Sequence, residues 1–550
     1  MVRHDRNISE LWRLLPWKKF RANLFRLQKR VFKAVQAGDK RKAMSLQKLI
    51  LKSRAARFLA IRQVTQLNAG KKTAGIDGKT ALTHEERFHL ELSLRQTNWD
   101  HTKLREIPIP KKDGSTRYLK VPTIADRAWQ AIAKYALEPA HEATFHAHSY
   151  GFRTGRSAHD AQKQIFQNLS SHANGIHKRI LELDIEKCFD RINHSTILEN
   201  LIAPKGLKLG IFRCLKAGIN PEFPEQGTCQ GGVVSPLLAN IALNGIEDIH
   251  QYHAKRGHKI TAKTPTKDIV TACVRYADDM VFFLRPEDNA TEILERTSQF
   301  LAARGLKVSE KKTKLTASTS GFDFLGWRCY VQQNGKFKSV PSVDNYKAFR
   351  RKVKTIVNSS NYGARLKAQK LSPIVRGWRN YHKFCKMDGA KWNLYHIQYR
   401  AFKVFNRETK QDRQSSKKLL NDAFPPVPYS ENRHTKVRGN KSPFDGDLVC
   451  WSERNSKLYG GITSKLLKKQ SYTCGSCGHK LTSTERVHLH HKDGNHGNAQ
   501  LLNLVVVHES CHDYIHMGNR GRDLRSTTPV SREVTEEYPE NYPRSKNAHA

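Results

Sequence analysis

The sequence predicts an α+β protein of several domains, and three observations predict it. Helix-period apolar spacing runs through a basic front segment and returns at residues 346–413, strand-like runs of β-branched and aromatic residues occupy the middle, and a Cys/His cluster lies near the carboxy end. A chain of 550 residues is long enough for three or four compact units. Its 96 Lys and Arg stand against 50 Asp and Glu, a formal net charge of +46. The charge concentrates: residues 1–62 hold 18 Lys/Arg and three acids, and residues 346–413 again hold 18 against three. Solvated surfaces normally mix signs, so two one-signed segments imply phosphate-tracking surfaces and a polyanionic partner. No apolar run of about 18 residues is present to span a bilayer, and Asp5 and Glu10 stand where a signal peptide would be apolar. Ten cysteines, mostly single in core-like segments such as Cys188, Cys273 and Cys329, fit a reduced compartment rather than a disulfide framework.

From the front, Phe20, Leu24, Leu27 and Val31 recur at four, three and four residues, the spacing of one helix face, and Asp39 is placed to cap a second basic helix. KKTAGIDGKT, 71–80, reads as a loop. Residues 107–127 read as a hairpin turning at Asp113-Gly114, with Lys111, Lys112 and Arg117 around the turn; basic hairpins clamp triphosphates, and a solvated hairpin fits the same residues. In RILELDIEKCFDRINH, 179–194, an apolar strand ends in Asp184 and a helical pattern follows. TCQGGVVSPLLANIAL, 228–243, sets Gln230 and two glycines before a helix that Ser235 or Pro236 starts. In VRYADDMVFF, 274–283, strand-like residues flank Asp278 and Asp279. Three acids at strand ends suit two-metal nucleotidyl transfer, in which clustered carboxylates hold two divalent ions; an Asp-Asp turn in an ordinary hairpin fits the pair equally well. GLKVSEKKTKL, 305–315, reads as a basic strand and GFDFLGW, 321–327, as an aromatic turn. Within 346–413, SPIVRGWRNYHKF carries Arg376, Trp378 and Arg379, suited to RNA backbone contact and base stacking, with core packing an equal explanation for Trp378. Residues 414–470, with Pro425, Pro426 and Pro428, read as a linker or irregular module, and the tail beyond about 519 as disordered.

Residues 472–516 carry metal chemistry of their own. Cys474 and Cys477 form one pair and His508 and Cys511 a second at the same spacing, the pattern of a closed tetrahedral zinc site. His512 and His516, four apart, share a helix face.

The order of these motifs resembles the reverse transcriptase/maturase proteins encoded within bacterial and organellar group II introns. It runs from the basic amino-terminal helices and KKTAGIDG through SYGFRTGRSAHDA at 149–161, QGGVVSPLLANI, YADD and FDFLGW to the GW-NY segment. The resemblance implies a right-hand polymerase with fingers and palm, a helical thumb/maturase domain and a small zinc-supported ββα-metal HNH domain. Its divisions would be basic helices over 1–65, fingers and palm over 66–335, thumb/maturase over 336–413, linker or DNA-binding region over 414–470, HNH endonuclease over 471–518 and tail over 519–550. It implies Asp184, Asp278 and Asp279 as catalytic acids, with Asp184 and Asp278 the direct ligands of two Mg2+. Lys111 and Arg117 would contact the incoming dNTP, Gln230 would line its pocket, and Phe189 would lie under the sugar and exclude a 2′-hydroxyl, unless it is simply core. VHLHHKDGN, 487–495, with Asn503, His512 and His516 resembles the HNH nuclease motif. His490, His512 and His516 would then bind one divalent ion, His491 would be the general base and Asn503 would orient it; a zinc-supported DNA-binding finger is the alternative. The implied partners are a host intron RNA, target DNA and dNTPs, with no membrane, in the bacterial cytoplasm or an organelle. The implied activities are RNA-directed DNA synthesis, maturase-assisted splicing and nicking of target DNA. The rival is an RNA-binding splicing factor with idle catalytic sites. The chain departs from the family pattern at Cys229 before Gln230, at Thr154 in Thr154-Gly155-Arg156 and at Tyr118-Leu119-Lys120.

Overall fold

The first apolar stripe becomes the helix Trp17–Gln36 in the computed structural model, which describes residues 8–518 apart from 81, 97, 111–113, 115, 219–223, 254–268, 460, 482–486 and 496. Lys111 and the tail beyond 519 therefore lie outside the described residues. Phe20, Leu24 and Val31 are buried and Leu27 packs at the margin. Asp39 caps the next helix, Lys40–Lys52, accepting from the Lys42 N–H at 2.9 Å, and Ser53 caps Arg54–Arg62. These three helices pack on a long helix, Ile124–Glu142. Inside that contact the buried Gln47 Nε2 donates to the Ala136 and Ile202 carbonyls at 3.1 and 2.7 Å, which ties the second helix to the long helix and to residue 202.

The contacts divide the chain into two units, Met1–Asp447 and Leu448–Ala550. At the centre of the first is a four-stranded antiparallel sheet in the order Cys273–Tyr276, Asp279–Leu284, Arg179–Leu183, Lys314–Ala317. Its middle strands are apolar on both faces because each face meets a different core. Leu181, Leu183, Met280, Phe282 and Leu284 join the amino-terminal helices and the helix Ser235–Leu243. The alternate residues Ile180, Val281 and Phe283 join the thumb-side core. Each such side chain contributes about 1.5–3 kcal/mol relative to exposure. The sheet is thus fixed from both sides, and its ends can carry polar residues.

The fingers hairpin pairs Arg105–Pro110 with Thr116–Val121, with its two prolines on an edge strand. The aromatic turn is a second hairpin: Phe324 pairs with Trp327 across Leu325 and Gly326, both at positive φ, as a type I′ turn requires. It leads into a three-stranded sheet and then the helices Val343–Val357, Ala364–Tyr381 and Tyr395–Glu408.

In the later chain one boundary shifts and one pair of alternatives is narrowed. The thumb does not end at 413, because a fourth helix, Arg413–Ala423, packs on Ala364–Tyr381 and Tyr395–Glu408. Of the linker and irregular-module readings of residues 414–470, the stretch after Ala423 follows the second. After Ala423 the prolines hold the chain extended while its polar groups find partners on the helix Ala158–Leu169 and its approach. His434 Nε2 lies 3.1 Å from Asp160 Oδ1, the Val437 N–H donates to the same carboxylate, and the Arg156 guanidinium donates to the Gly439 carbonyl. The second unit opens with the helices Leu448–Leu458 and Gly461–Lys469, followed by an antiparallel pair, Val487–His491 with Leu504–His508, and the helix Glu509–Gly518. Among the described residues, no helix is long and apolar enough to cross a membrane.

Candidate functional site

The register of the central sheet brings the three acids together. Leu183 pairs with Met280, so the next residues, Asp184 and Asp279, face each other at the strand end. Tyr276 pairs with Asp279 across a two-residue turn of Ala277 and Asp278. Ala277 sits at φ 61, a conformation that disfavours any residue but glycine and so needs support. Arg275 supplies it from beneath the turn. Fully buried, its guanidinium donates to Glu247 Oε1 at 2.7 Å, to Asn240 Oδ1 at 3.0 Å and to the Ala277 carbonyl at 3.0 Å. Sequence reasoning missed this network; the one available signal was an arginine inside an apolar strand, which must find a partner if buried.

Burial, the Asp278 charge and then the Asp184 charge lift Asp279 to about 6, and burial likewise raises Asp278. Crowded carboxylates of this kind call for a cation, and hard oxygen donors fit Mg2+. Lys312 supplies one positive charge, its Nζ 2.7 Å from Asp184 Oδ2. Arg117 supplies another: from the fingers hairpin it acts on Asp278 and donates to Gln230 Oε1. The Gln230 loop is tied to that hairpin because the Lys120 N–H donates to the Gln230 carbonyl at 3.0 Å. A Cβ on Gly231 would lie 2.8 Å from the Lys120 carbonyl oxygen, which explains a glycine there. Cys229, the departure beside it, is buried with its Sγ 3.3 Å from Ser235 Oγ. Phe189 is half-buried against the core, and its carbonyl accepts from the Thr228 N–H at 2.7 Å. Asp184, Asp278, Asp279, Arg117 and Gln230 thus converge.

The RNA-contact expectation is corrected for two of its three residues. Trp378 stacks on Phe349 with centroids 4.5 Å apart and donates to Asn345 Oδ1. Arg379 is buried, and its guanidinium donates to the Phe424 and Pro425 carbonyls at 3.0 and 2.8 Å. Both side chains are covered by neighbouring thumb elements, so the pair packs the thumb. Arg376 is exposed. Arg379→Ala is therefore expected to lower stability by about 2–4 kcal/mol, since one buried and one partly buried acceptor lose a charged donor. A clear fall in the thermal midpoint should appear for it and be absent for Arg376→Ala.

In the second unit the ligand atoms of Cys474, Cys477, His508 and Cys511 all lie within 4.8 Å of one another, as do those of His490, His512 and His516. Cys477 Sγ is 3.4 Å from His508 Nδ1, and the Cys477 and Cys511 thiols hold Cys474 well below the usual thiol range. Softness and spacing of the first set fit zinc. The second set joins the strand Val487–His491 to the carboxy-terminal helix, with the His512 and His516 rings 4.4 Å apart. His491 is half-buried beside it. Asn503 closes the loop between the two strands: its amide donates to Asp493 Oδ1 and the Asn498 carbonyl at 2.9 and 3.0 Å, and its Oδ1 accepts from the Asp493 N–H.

Three family descriptions match the first unit: an N-terminal domain of reverse transcriptase over residues 12–94, a reverse transcriptase (RNA-dependent DNA polymerase) over 109–329, and a group II intron maturase-specific domain over 346–422. Maturase-like protein 1 of Euglena gracilis is 41% identical over 468 residues, covering 84% of this chain and 96% of that protein. Its counterpart in Euglena longa is 38% identical over 415 residues, 74% of this chain and 86% of that one. The group II intron-encoded protein LtrA of Lactococcus lactis subsp. cremoris is 28% identical over 330 residues, 49% of this chain and 54% of that protein.

Proposed function

Since the chain belongs to the group II intron reverse transcriptase/maturase family, we propose that its first unit makes DNA at Asp184, Asp278 and Asp279 and grips intron RNA through the thumb, and that its second unit is an HNH nuclease that nicks target DNA to provide the primer. The observation that carries the polymerase reading is the meeting of three acids from adjacent strands with Arg117 of the fingers hairpin. Two Mg2+ held by Asp184 and Asp278 would stabilise the attacking and leaving oxygens of an in-line displacement. The chain's own residues do the rest. Arg117 of the fingers hairpin faces the triphosphate, Gln230 lines the nucleotide pocket, and Phe189 stands five residues after Asp184 at the sugar. Lys312 neutralises Asp184 and holds the carboxylate aligned with the pair across the sheet. Primer extension on an RNA template with purified protein tests this reading, and failure to extend any primed RNA would sink it in favour of an idle splicing factor.

The RNA surface moves from the buried Trp378 and Arg379 to the helix Tyr395–Glu408. Tyr395 and Tyr399 are 61% and 52% exposed, four residues apart on one face, and Lys403 continues that face with its Nζ 4.7 Å from the Tyr399 ring centroid. No acid occurs from Gly389 to Arg407, while Lys391, Arg400, Lys403 and Arg407 all do. Tyrosine faces stack on unpaired bases and the cations meet phosphates. Replacing Tyr395 and Tyr399 with Ala is expected to weaken intron RNA binding roughly tenfold or more at every salt concentration. Lys403→Ala should instead lower the slope of log affinity against log salt by about one. An unchanged affinity in the double variant would remove this surface.

In the second unit, zinc on the Cys3His set would supply folding energy, and the His490, His512 and His516 set would hold a divalent ion beside His491, which takes a proton from the attacking water.

A further inference from the structure

Phe152 stands in a conformation that its own side chain opposes. Its φ is 57, in the left-handed region that a bulky residue rarely enters, yet its side chain is 48% exposed. Neither local preference nor burial accounts for a phenylalanine there. The residues on both sides explain how it is held. The Arg275 N–H donates to the His148 carbonyl and the Tyr150 N–H to the Arg275 carbonyl, so residues 148–150 run along the strand that leads into the acid turn. Gly151 then touches the turn itself: a Cβ there would lie 2.4 Å from the Ala277 nitrogen, and its carbonyl accepts from Asn240 Nδ2 at 2.8 Å. On the far side Arg153 is fully buried, both arms of its guanidinium 2.9 Å from the Glu142 carboxylate. With its neighbours pinned in this way, Phe152 projects outward and meets Phe189, ring centroids 6.3 Å apart at 77°.

Strained positions of this kind persist where surrounding structure over-determines them, and they gather at active sites. We infer that Phe152 is a positioning residue for sugar recognition: its ring is the second aromatic wall of the nucleotide pocket and keeps Phe189 against the 2′ position of an incoming deoxynucleotide. The inference rests on the reading of Phe189 as the sugar-side residue. An edge-to-face neighbour restricts the Phe189 ring. Without that neighbour the ring can turn aside and admit a 2′-hydroxyl. Phe152 acts through Phe189.

The test uses the full-length protein with an RNA template and measures kcat/KM for a deoxynucleotide and the matching ribonucleotide, together with the thermal midpoint. Phe152→Gly should reduce discrimination roughly tenfold or more, through better ribonucleotide use, while the midpoint stays level or rises because glycine adopts this φ freely. Phe152→Leu should retain part of the discrimination. If Phe189→Ala relaxes discrimination and Phe152→Gly does not, the role of Phe152 is overturned while that of Phe189 stands. If neither changes it, the sugar-side reading of Phe189 fails and takes the inference with it. A lowered midpoint in Phe152→Gly with equal losses for both nucleotides would mark the ring as merely structural and overturn the inference.

Discussion

Asp278→Asn is expected to reduce primer extension on an RNA template by roughly a thousandfold or more while leaving RNA affinity nearly unchanged. The size follows from the charge. A carboxylate that holds a divalent ion at a phosphoryl centre supports several kcal/mol of transition-state stabilisation, and each 1.36 kcal/mol is tenfold in rate. An amide keeps the shape but cannot hold Mg2+ against its own hydration. The fold should tolerate the change, because the turn is carried by Arg275 on the Ala277 carbonyl and by Gly151 against the Ala277 nitrogen, not by the Asp278 side chain. RNA affinity should survive because the one-signed basic segments lie elsewhere in the sequence. Splicing of the intron RNA should survive with it. Extension by the purified variant at near the wild-type rate would remove Asp278 from the chemistry.

The acid hairpin was legible because its information is local. Val274, Tyr276, Val281, Phe282 and Phe283 favour a strand on each side of two acids, and one register then follows from which residues are buried. The cap at Asp39 and the helix start at Ser235 are local in the same sense. What supports the turn was not legible, because Arg275 finds Glu247 and Asn240 from separate segments and nothing in the sequence pairs them. Distance along the chain also explains why residues 424–447 stayed open between a linker and an irregular module. Three prolines and an absent period look like a linker, yet His434 meets Asp160, 274 positions earlier.

The thumb shows a different limit. Periodicity identified helix in the segment that holds Trp378 and Arg379, but an amphipathic pattern names the buried face only when one face is covered. Here Val343–Val357 and Arg413–Ala423 both pack on Ala364–Tyr381, so a tryptophan and the adjacent arginine are both inward. Aromatics mixed with basic residues fit either outcome. The exposed tyrosines of Tyr395–Glu408 have much the same composition, and burial alone separates the two helices. The carboxy-terminal cluster was readable for the opposite reason, because each ligand pair is fixed within four residues.

Cys474→Ser and His491→Ala are expected to separate folding from chemistry in the second unit. Its core is small: among the described residues the buried cluster is Leu466, Leu467, Leu481, Val487, Leu504, Val506 and Val507 with two of the cysteines, Cys474 and Cys511. Small domains below about 70–80 residues commonly add a metal or disulfides to so limited a core. A structural zinc contributes on the order of 10–16 kcal/mol in comparable peptides, as much as the whole net stability of an ordinary domain. Cys474→Ser should therefore lose zinc by metal analysis and expose the chain to rapid proteolysis beyond about residue 470. His491 is outside the Cys3His set. Its replacement by Ala should leave zinc content and protease resistance at wild-type levels while strand cleavage of target DNA stops, since a general base can be removed without opening a closed tetrahedral site. Primer extension should be unchanged in both variants, because every polymerase residue lies in Met1–Asp447. Cleavage that persists in His491→Ala at the wild-type rate would make the second unit a zinc-supported DNA-binding finger, and the nicking step would then belong to another protein.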